Sequence, residues 1–173
     1  MSAAEDDASL ASAPCKPSPG PSLKSRALRL LAGRDWGRTE LARKLAPHAD
    51  SEQALQAALD DLQAKGFISD ERAAASLLHR RANKLGTARL VQELKQKGFD
   101  ADLIAAQADF LQESEESRLK TVWQKKFGLA PQNAAEKAKQ MRFLASRGFA
   151  PGQISKWLRS VGAGTEVEAE NEE

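Results

Sequence analysis

Two helix endings in this chain have nearly the same sequence at a fixed spacing. LKQKGFDAD at 94–102 and LASRGFAPG at 144–152 place a Leu, a basic residue, Gly and Phe at the same offsets. The register that joins them reaches a third region, because offsets of 49 and 50 residues superimpose Leu45 on Leu94 and Leu144, and Leu55 on Ile104 and Ile154. A period near 50 residues is typical of stacked helical units. LQAKGFISD at 62–70 lies outside this register, so we interpret it as a shared way of ending a helix.

Apolar residues recur at three- and four-residue spacings along the middle of the chain, as in Leu55, Ala58, Leu59 and Leu62. Such spacing predicts buried helical faces, and no stretch alternates for long enough to predict a strand. The sequence therefore predicts an all-α fold of three tandem three-helix repeats, stacked into an elongated, curved array. Because a unit of this size buries little apolar surface alone, we expect neighbouring units to share a core.

The predicted boundaries follow from this register and from the helix stop signals. Unit 1 spans 22–66, with helices at 23–33, 38–46 and 51–65. Unit 2 spans 67–113, with helices at 70–84, 87–97 and 100–112. Unit 3 spans 114–162, with helices at 115–127, 133–147 and 151–161. We expect Gly66 to end a helix, and the expected N-caps are Asp50 or Ser51, Asp70, Thr87 and Asp100.

The two ends of the chain differ from this body in composition and charge. Residues 1–21 form a Pro/Ser-rich leader with three acids and Lys16, and residues 163–173 form a tail with five glutamates. Their net charges are −2 and −5, and their low hydrophobicity predicts that both are disordered. Residues 22–162 hold 25 basic and 16 acidic side chains, a net charge of +9. A basic body of this kind favours a polyanionic partner.

Compartment and catalysis are constrained mainly by features that the sequence lacks. Cys15 is the single cysteine, acids stand near the N-terminus, and no apolar stretch approaches the roughly 20 residues of a membrane span. We therefore expect a reduced, cytoplasmic protein. His48 and His79 have no partnered nucleophile or ligand cluster, and no phosphate-binding glycine loop is present. The sequence predicts no catalytic residue, no metal site and no cofactor.

Four segments in this order resemble the RecX family of regulators of the RecA recombinase. They are RALRLLAGRDWGRTELARKL at 26–45, LQAKGFISDERAAASLLHRRANKLGTARLVQELKQKGFD at 62–100, WQKKFG at 123–128 and QMRFLASRGFAPGQISKWL at 140–158. The resemblance covers about residues 23–161. One departure is Ala74, where the family pattern leads us to expect an aromatic residue.

The resemblance implies a regulator rather than an enzyme. Proteins of this family bind the RecA–DNA filament in its helical groove and usually suppress ATP hydrolysis, strand exchange and filament growth, in the control of DNA repair, recombination and the SOS response. The expected partners are thus the RecA filament and, weakly and without sequence specificity, single- or double-stranded DNA; we expect a monomer that does not bind membranes. The expected contact residues are Arg80, Arg81, Lys84, Arg89, Lys95, Lys97, Lys125, Lys126, Lys139 and Arg142.

Two alternatives remain at this point: a sequence-independent DNA-binding helical protein and a helix-turn-helix transcription regulator. Residues 87–112 have the helix-turn-helix outline, but their second helix carries Asp102 and Asp109 and no basic residue. Single-strand binding by base stacking has little support from the phenylalanines, which occur where helix ends pack: Phe67, Phe99, Phe127 and Phe149. Trp36 is the aromatic residue that we expect to be exposed.

Overall fold

The structure, a computed structural model, describes residues 21–169, with side chains described as far as residue 162. The leader up to residue 20 and residues 170–173 lie outside the described residues. Within the described range there are nine α-helices, two 3₁₀ turns and no strand. The helices are α1 (Leu23–Leu31), α2 (Arg38–Leu45), α3 (Glu52–Ala64), α4 (Asp70–Arg81), α5 (Thr87–Lys97), α6 (Ala101–Glu113), α7 (Glu115–Lys126), α8 (Ala134–Ser146) and α9 (Pro151–Ala169). The 3₁₀ turns, Ala46–His48 and Ala82–Lys84, extend α2 and α4.

Eight of the nine helices agree with their predicted boundaries to within three residues at each end, and the ninth does not. Helix α9 continues to Ala169, eight residues past its predicted end at 161 and into the predicted acidic tail. Gly162 does not adopt the left-handed backbone that ends α5, so it provides no stop. Glutamate is a good helix former, and glycine costs only about 1 kcal/mol inside a helix.

Each unit has its own apolar cluster, and the expectation of a shared core is therefore wrong. The buried members of the three clusters run from Ala27 to Ile68, from Ala73 to Leu111 and from Leu119 to Leu158. Ile68 packs in the first cluster although it follows the predicted end of unit 1. The physical reason is that the chain after a glycine stop folds back on its own helix, and the Ile68 amide donates to the Leu62 carbonyl.

The second helices of successive units meet end to end. At the junction between units 2 and 3 (junction 2–3), the amide of Gly86 donates to the Arg147 carbonyl at 2.9 Å, and that of Ala88 to the Gly148 carbonyl at 3.3 Å. At the junction between units 1 and 2 (junction 1–2), the Thr39 hydroxyl donates to the Gly98 carbonyl at 3.1 Å. The start of each helix thus meets the end of the second helix of the following unit, where backbone amides or a hydroxyl reach free carbonyl acceptors and the helix dipoles align.

The glycine stops show why only two of the three similar sequence stretches are true repeats. Gly66, Gly98 and Gly148 all have a left-handed backbone, with φ of 75°, 81° and 85°. A Cβ added to Gly66 would meet nothing within 4 Å, whereas one added to Gly98 or Gly148 would lie 2.6 Å from Thr39 or Arg89 of the preceding unit. Gly66 only ends a helix, while the other two also form the junctions. This confirms the distinction drawn from the register.

The second helices of units 1 and 2 begin without a side-chain cap of their own. α2 and α5 follow Gly37 and Gly86, and neither has a side-chain cap. Each is capped instead by a carboxylate from the first turn of the next unit: Asp70 accepts from the Arg38 amide at 2.7 Å, and Glu115 accepts from the Thr87 amide at 3.3 Å. α8 has no unit after it among the described residues, and there Asn133 caps its own helix.

Two of the predicted N-caps are consequently wrong, and two are confirmed. Ser69 is the N-cap of α4, which leaves the Asp70 carboxylate free to cap α2. Thr87 is the first residue of α5 rather than its cap, and its buried hydroxyl donates to the Leu111 carbonyl at 3.2 Å. Ser51 and Asp100 hold the cap positions of α3 and α6 as predicted.

Candidate functional site

Three of the predicted contact residues surround one open pocket between units 1 and 2. Arg80, Arg81 and Lys97 line this pocket of about 540 Å³ together with Arg34 and Glu93. Arg80 donates to the Ser76 hydroxyl at 2.8 Å, and the Arg81 Nε lies 3.6 Å from a Glu93 carboxylate oxygen. Four basic side chains thus face a single lining carboxylate, so the pocket has a surplus of positive charge.

Lys97 also has a structural role at junction 1–2. Its ammonium pairs with the Glu40 carboxylate, which Arg34 also contacts at 3.0 Å. The Lys97 and Glu40 side chains are 28% and 19% exposed, so water screens this triad only in part. Burial raises the pKa of Glu40, but the hydrogen bonds and positive charges of Arg34 and Lys97 outweigh it and leave that pKa lowered.

The other predicted residues of unit 2 lie away from this pocket. Lys84 is exposed and does not line it; its backbone carbonyl accepts a hydrogen bond from Arg147 of unit 3 at 3.2 Å. Arg89 lies at junction 2–3 beside Gly148, and Lys95 is exposed on α5. Of the expected set of Arg80, Arg81 and Lys84, only the two arginines therefore line the pocket.

The predicted residues of unit 3 are all exposed. Lys125, Lys126, Lys139 and Arg142 have no ion pair within the described chain. The Lys126 ammonium lies 5.8 Å from the centre of the Phe143 ring, and Lys125 borders a pocket that also contains Trp157. These charges are consequently available to an anionic partner.

Positive charge is distributed unevenly among the units. Unit 1 holds eight basic and six acidic side chains, a net +2, and unit 2 holds seven of each. Unit 3 holds ten basic and three acidic side chains, a net +7. One of those three acids, Glu115, is buried with 4% of its surface exposed, so the outer surface of unit 3 is strongly positive.

Sequence reasoning missed a buried arginine at junction 2–3. The Arg118 guanidinium donates to the Leu85 carbonyl, to the Leu111 carbonyl at 2.6 Å and to the Thr87 hydroxyl at 2.9 Å. Its Nε contacts the Ser114 hydroxyl at 3.3 Å. One side chain therefore joins α7 to the end of α6 and the start of α5.

The environment of Arg118 combines burial with a nearby acid. Burial lowers the pKa of the guanidinium, and the negative charge of Glu115 opposes that change. A signal was present in the sequence, because Glu115, Arg118 and the buried Val122 share one face of α7 at three- and four-residue spacing. Reading every charged residue as exposed hid this face.

Unit 1 has a further basic pocket that was not among the predicted site residues. This pocket has a volume of about 370 Å³ beside Leu30 and Leu45, and its basic lining consists of Arg26, Arg29, Lys44 and His48. Within the described residues, none of the four basic groups takes part in an ion pair. The neighbouring acid Asp61 pairs instead with Lys24 and Lys65.

The second helix of the helix-turn-helix outline presents few groups suited to DNA. α6 exposes Asp102, Asp109 and the ring of Phe110, which is 67% exposed. Carboxylates repel phosphates, so this helix is poorly suited to a DNA groove. Trp36, expected to be exposed, is half-buried: Arg34 stacks 3.6 Å from its ring centre, and its indole N–H donates to the Leu30 carbonyl.

Over residues 21–169, no group of three or more His, Cys, Asp or Glu side chains is arranged to hold a metal ion. No helix in that range has the length and apolar composition needed to cross a membrane.

The fold and the charge distribution define an all-α repeat protein with a basic surface. Models of the second and third three-helix domains of RecX match residues 69–106 and 113–158. A regulatory protein RecX of Leptothrix cholodnii is 49% identical over 138 residues, which make up 80% of this chain and 88% of the relative. One of Ralstonia nicotianae is 45% identical over 142 residues, 82% of this chain and 89% of the relative. The chain belongs to the RecX family of regulatory proteins.

A solved structure agrees with this assignment at the level of the fold. The crystal structure of RecX from Lactobacillus salivarius superimposes with a TM-score of 0.68 at 21% sequence identity. The match covers 82% of this chain and 95% of that one.

Proposed function

We propose that this chain regulates a RecA recombinase by binding the RecA–DNA filament along its groove, and that it inhibits the filament's ATP hydrolysis, strand exchange and growth. It acts in the cytoplasm as a monomer without catalytic activity of its own, in the control of DNA repair, recombination and the SOS response. Membership of a family of regulatory proteins supports the regulatory part of this proposal.

The observation that carries the proposal is the set of unpaired cations on units 2 and 3. Arg80 in the pocket between units 1 and 2, and Lys125, Lys126 and Arg142 on unit 3, have no carboxylate partner in the described chain. Such a surface attracts acidic side chains or exposed phosphates and steers their approach. DNA alone is a weaker partner without sequence specificity, because phosphate contacts carry no sequence information.

The test is the ATPase activity of RecA on single-stranded DNA with this protein added. The wild-type protein lowers the activity, and the variant Arg80→Glu/Arg81→Glu/Lys84→Glu is about tenfold less potent, because three reversals turn attraction into repulsion. The matched control is Arg43→Glu/Lys137→Glu/Arg159→Glu, which changes the net charge equally at exposed residues that line neither basic pocket and have no ion pair among those described.

The comparison between the two triple variants decides the result. Equal loss of potency in both would mean that net charge alone matters, and no loss in the first would move the contact face to other residues. Matched helical spectra and melting temperatures serve as the folding control. A discrete footprint of the protein on genomic DNA at physiological salt would favour the transcription-regulator alternative instead.

A further inference from the structure

Unit 3 carries an aromatic pocket that the predicted contact set touched only at Lys125. Trp157 of α9 lines an open space of about 400 Å³ with Lys120, Thr121, Gln124 and Lys125 of α7. The lining combines an indole, two ammonium groups, a hydroxyl and an amide, and it contains no carboxylate. These are the groups that contact the bases and phosphates of nucleic acids.

A rigid support holds Trp157 at the pocket. Its ring meets that of Trp123 at 78° with the ring centres 5.5 Å apart, the usual edge-to-face packing of aromatic pairs. Trp123 is itself only 4% exposed and donates through its indole N–H to Gln140 at 2.7 Å. Trp157 is half-buried, so part of its surface stays accessible while its orientation is fixed.

The two half-buried tryptophans of this chain differ in their surroundings. Arg34 covers Trp36 but is paired with Glu40, and Trp36 lines none of the described pockets. The Lys120 ammonium lies 5.0 Å from the centre of the Trp157 ring, and neither it nor Lys125 forms an ion pair in the described part of the chain. Of these two tryptophans, only Trp157 therefore combines an accessible ring with cations that are free to bind phosphate.

We infer that this pocket binds single-stranded nucleic acid, with a base packed on Trp157 and backbone phosphates held by Lys120 and Lys125. The inference rests on the proposed function and deepens it by naming where a DNA strand contacts the regulator. Aromatic rings and cations along a strand are the usual means of binding single strands without sequence preference. An acidic peptide would use the lysines but would gain nothing from the indole, and in a duplex the bases are already stacked.

The test uses the full chain, an oligo-dT strand and an abasic strand of the same length. Binding of oligo-dT quenches tryptophan fluorescence, and Trp157→Leu loses this quenching and weakens oligo-dT binding by about fivefold or more. Binding of the abasic strand, which offers only phosphates, changes little in that variant. Trp36→Leu is the matched control, since it removes the other half-buried tryptophan and is expected to preserve base-dependent binding.

A second variant distinguishes the loss of nucleic-acid contacts from a defect in the packing of unit 3. Lys120→Gln/Lys125→Gln leaves the Trp123–Trp157 pair in place and weakens both strands alike, because it removes phosphate contacts. Unchanged oligo-dT binding in either variant overturns the inference, as does wild-type protein that binds the two strands equally. The RecA ATPase assay is read separately: wild-type protein that leaves RecA unaffected refutes the proposed function, whatever the oligonucleotides show.

Discussion

The two junctions between units bring helix ends together in the same way but differ in the bonds around that contact. At each junction, the second helix of the preceding unit follows a glycine and has no side-chain cap of its own. A carboxylate of the next unit caps it instead. In both, a left-handed glycine of the next unit fits against the first turn of that helix. The recurring element of this fold is therefore a close contact between helix ends rather than a continuous apolar core.

The difference lies in what surrounds that contact. Junction 1–2 is reinforced by the partly exposed triad of Arg34, Glu40 and Lys97. Junction 2–3 is reinforced by direct backbone hydrogen bonds and by the buried guanidinium of Arg118. Partly exposed ion pairs contribute little, whereas buried groups that lose their partners cost several kcal/mol. We therefore expect junction 2–3 to tolerate change far less than junction 1–2.

The largest effect is expected when a methyl group is added at the equivalent N-cap glycines. Gly37 and Gly86 have ordinary φ values of −70° and −77°, so alanine strains neither backbone. A Cβ on Gly86 would overlap the backbone of Gly148, while one on Gly37 would lie 2.8 Å from the ring of Phe99, a buried side chain that can shift more easily than backbone. Overpacking of this kind lowers the free energy of unfolding by about 3 kcal/mol for Gly86→Ala and by about 1 kcal/mol for Gly37→Ala.

Urea unfolding followed by circular dichroism measures both losses. Gly66→Ala calibrates the series, because its left-handed backbone alone costs about 1 kcal/mol and its surroundings are open. Equal losses for Gly37→Ala and Gly86→Ala would show that the two junctions are equally tight, and that the comparison drawn above does not hold.

An intermediate effect is expected from the buried arginine at junction 2–3. Arg118→Met leaves the Leu111 carbonyl and the buried Glu115 without a cationic partner, but the Thr87 hydroxyl still donates to that carbonyl, so the free energy of unfolding falls by about 2 kcal/mol. The control is Arg38→Met, since the partly exposed Arg38 pairs within unit 1 with the exposed Asp60; its loss is about 1 kcal/mol or less.

Hydrogen exchange localises the change. The amides of Gly86 and Ala88, which bond across junction 2–3, exchange faster in Arg118→Met, while the Arg38 amide at junction 1–2 keeps its protection. Uniform acceleration at both junctions would instead mean that the units unfold together and that Arg118 has no local role.

Much of the fold was predictable because it is encoded in local patterns. The glycine stops and the apolar helical faces depend on residues within one or two turns of each other, and the 49- and 50-residue register follows from the repetition of these local patterns. The caps supplied by Asp70 and Glu115 were not predictable in this way, because each acts on a helix of another unit. A carboxylate at a helix start is also a normal first-turn residue, so nothing local marks its second role.

The candidate site was less accessible to sequence reasoning than the fold. The sequence showed an excess of basic residues in units 1 to 3. Which of them remain without a carboxylate partner depends on ion pairs between distant residues, such as Lys97 and Glu40, which are 57 positions apart. Trp157 had no local signal that separated it from Trp123, since both occur among apolar residues at helical spacing. Only the packing of α7 against α9 distinguishes them: Trp123 supports Trp157, and Trp157 lines the pocket.

The smallest expected effect is an acid-dependent loss at junction 1–2. The pKa of Glu40 is lowered in the folded protein, so its contribution to stability is present above the ordinary glutamate pKa of about 4.3 and is lost as the pH falls through the folded value. Glu40→Gln should thus cost about 1 kcal/mol or less at pH 7, and the difference from wild type should shrink as the pH falls below the ordinary glutamate pKa and through the lower folded value. Urea unfolding of both proteins at pH 7, 5 and 3 checks this. The difference between the two free energies of unfolding cancels the contributions of the other carboxylates whose pKa is lowered, Asp61 and Glu71. A difference that stays constant down to the lowest pH would mean that Glu40 acts through packing rather than charge, and junction 1–2 would then resemble junction 2–3 more closely than its exposed triad suggests.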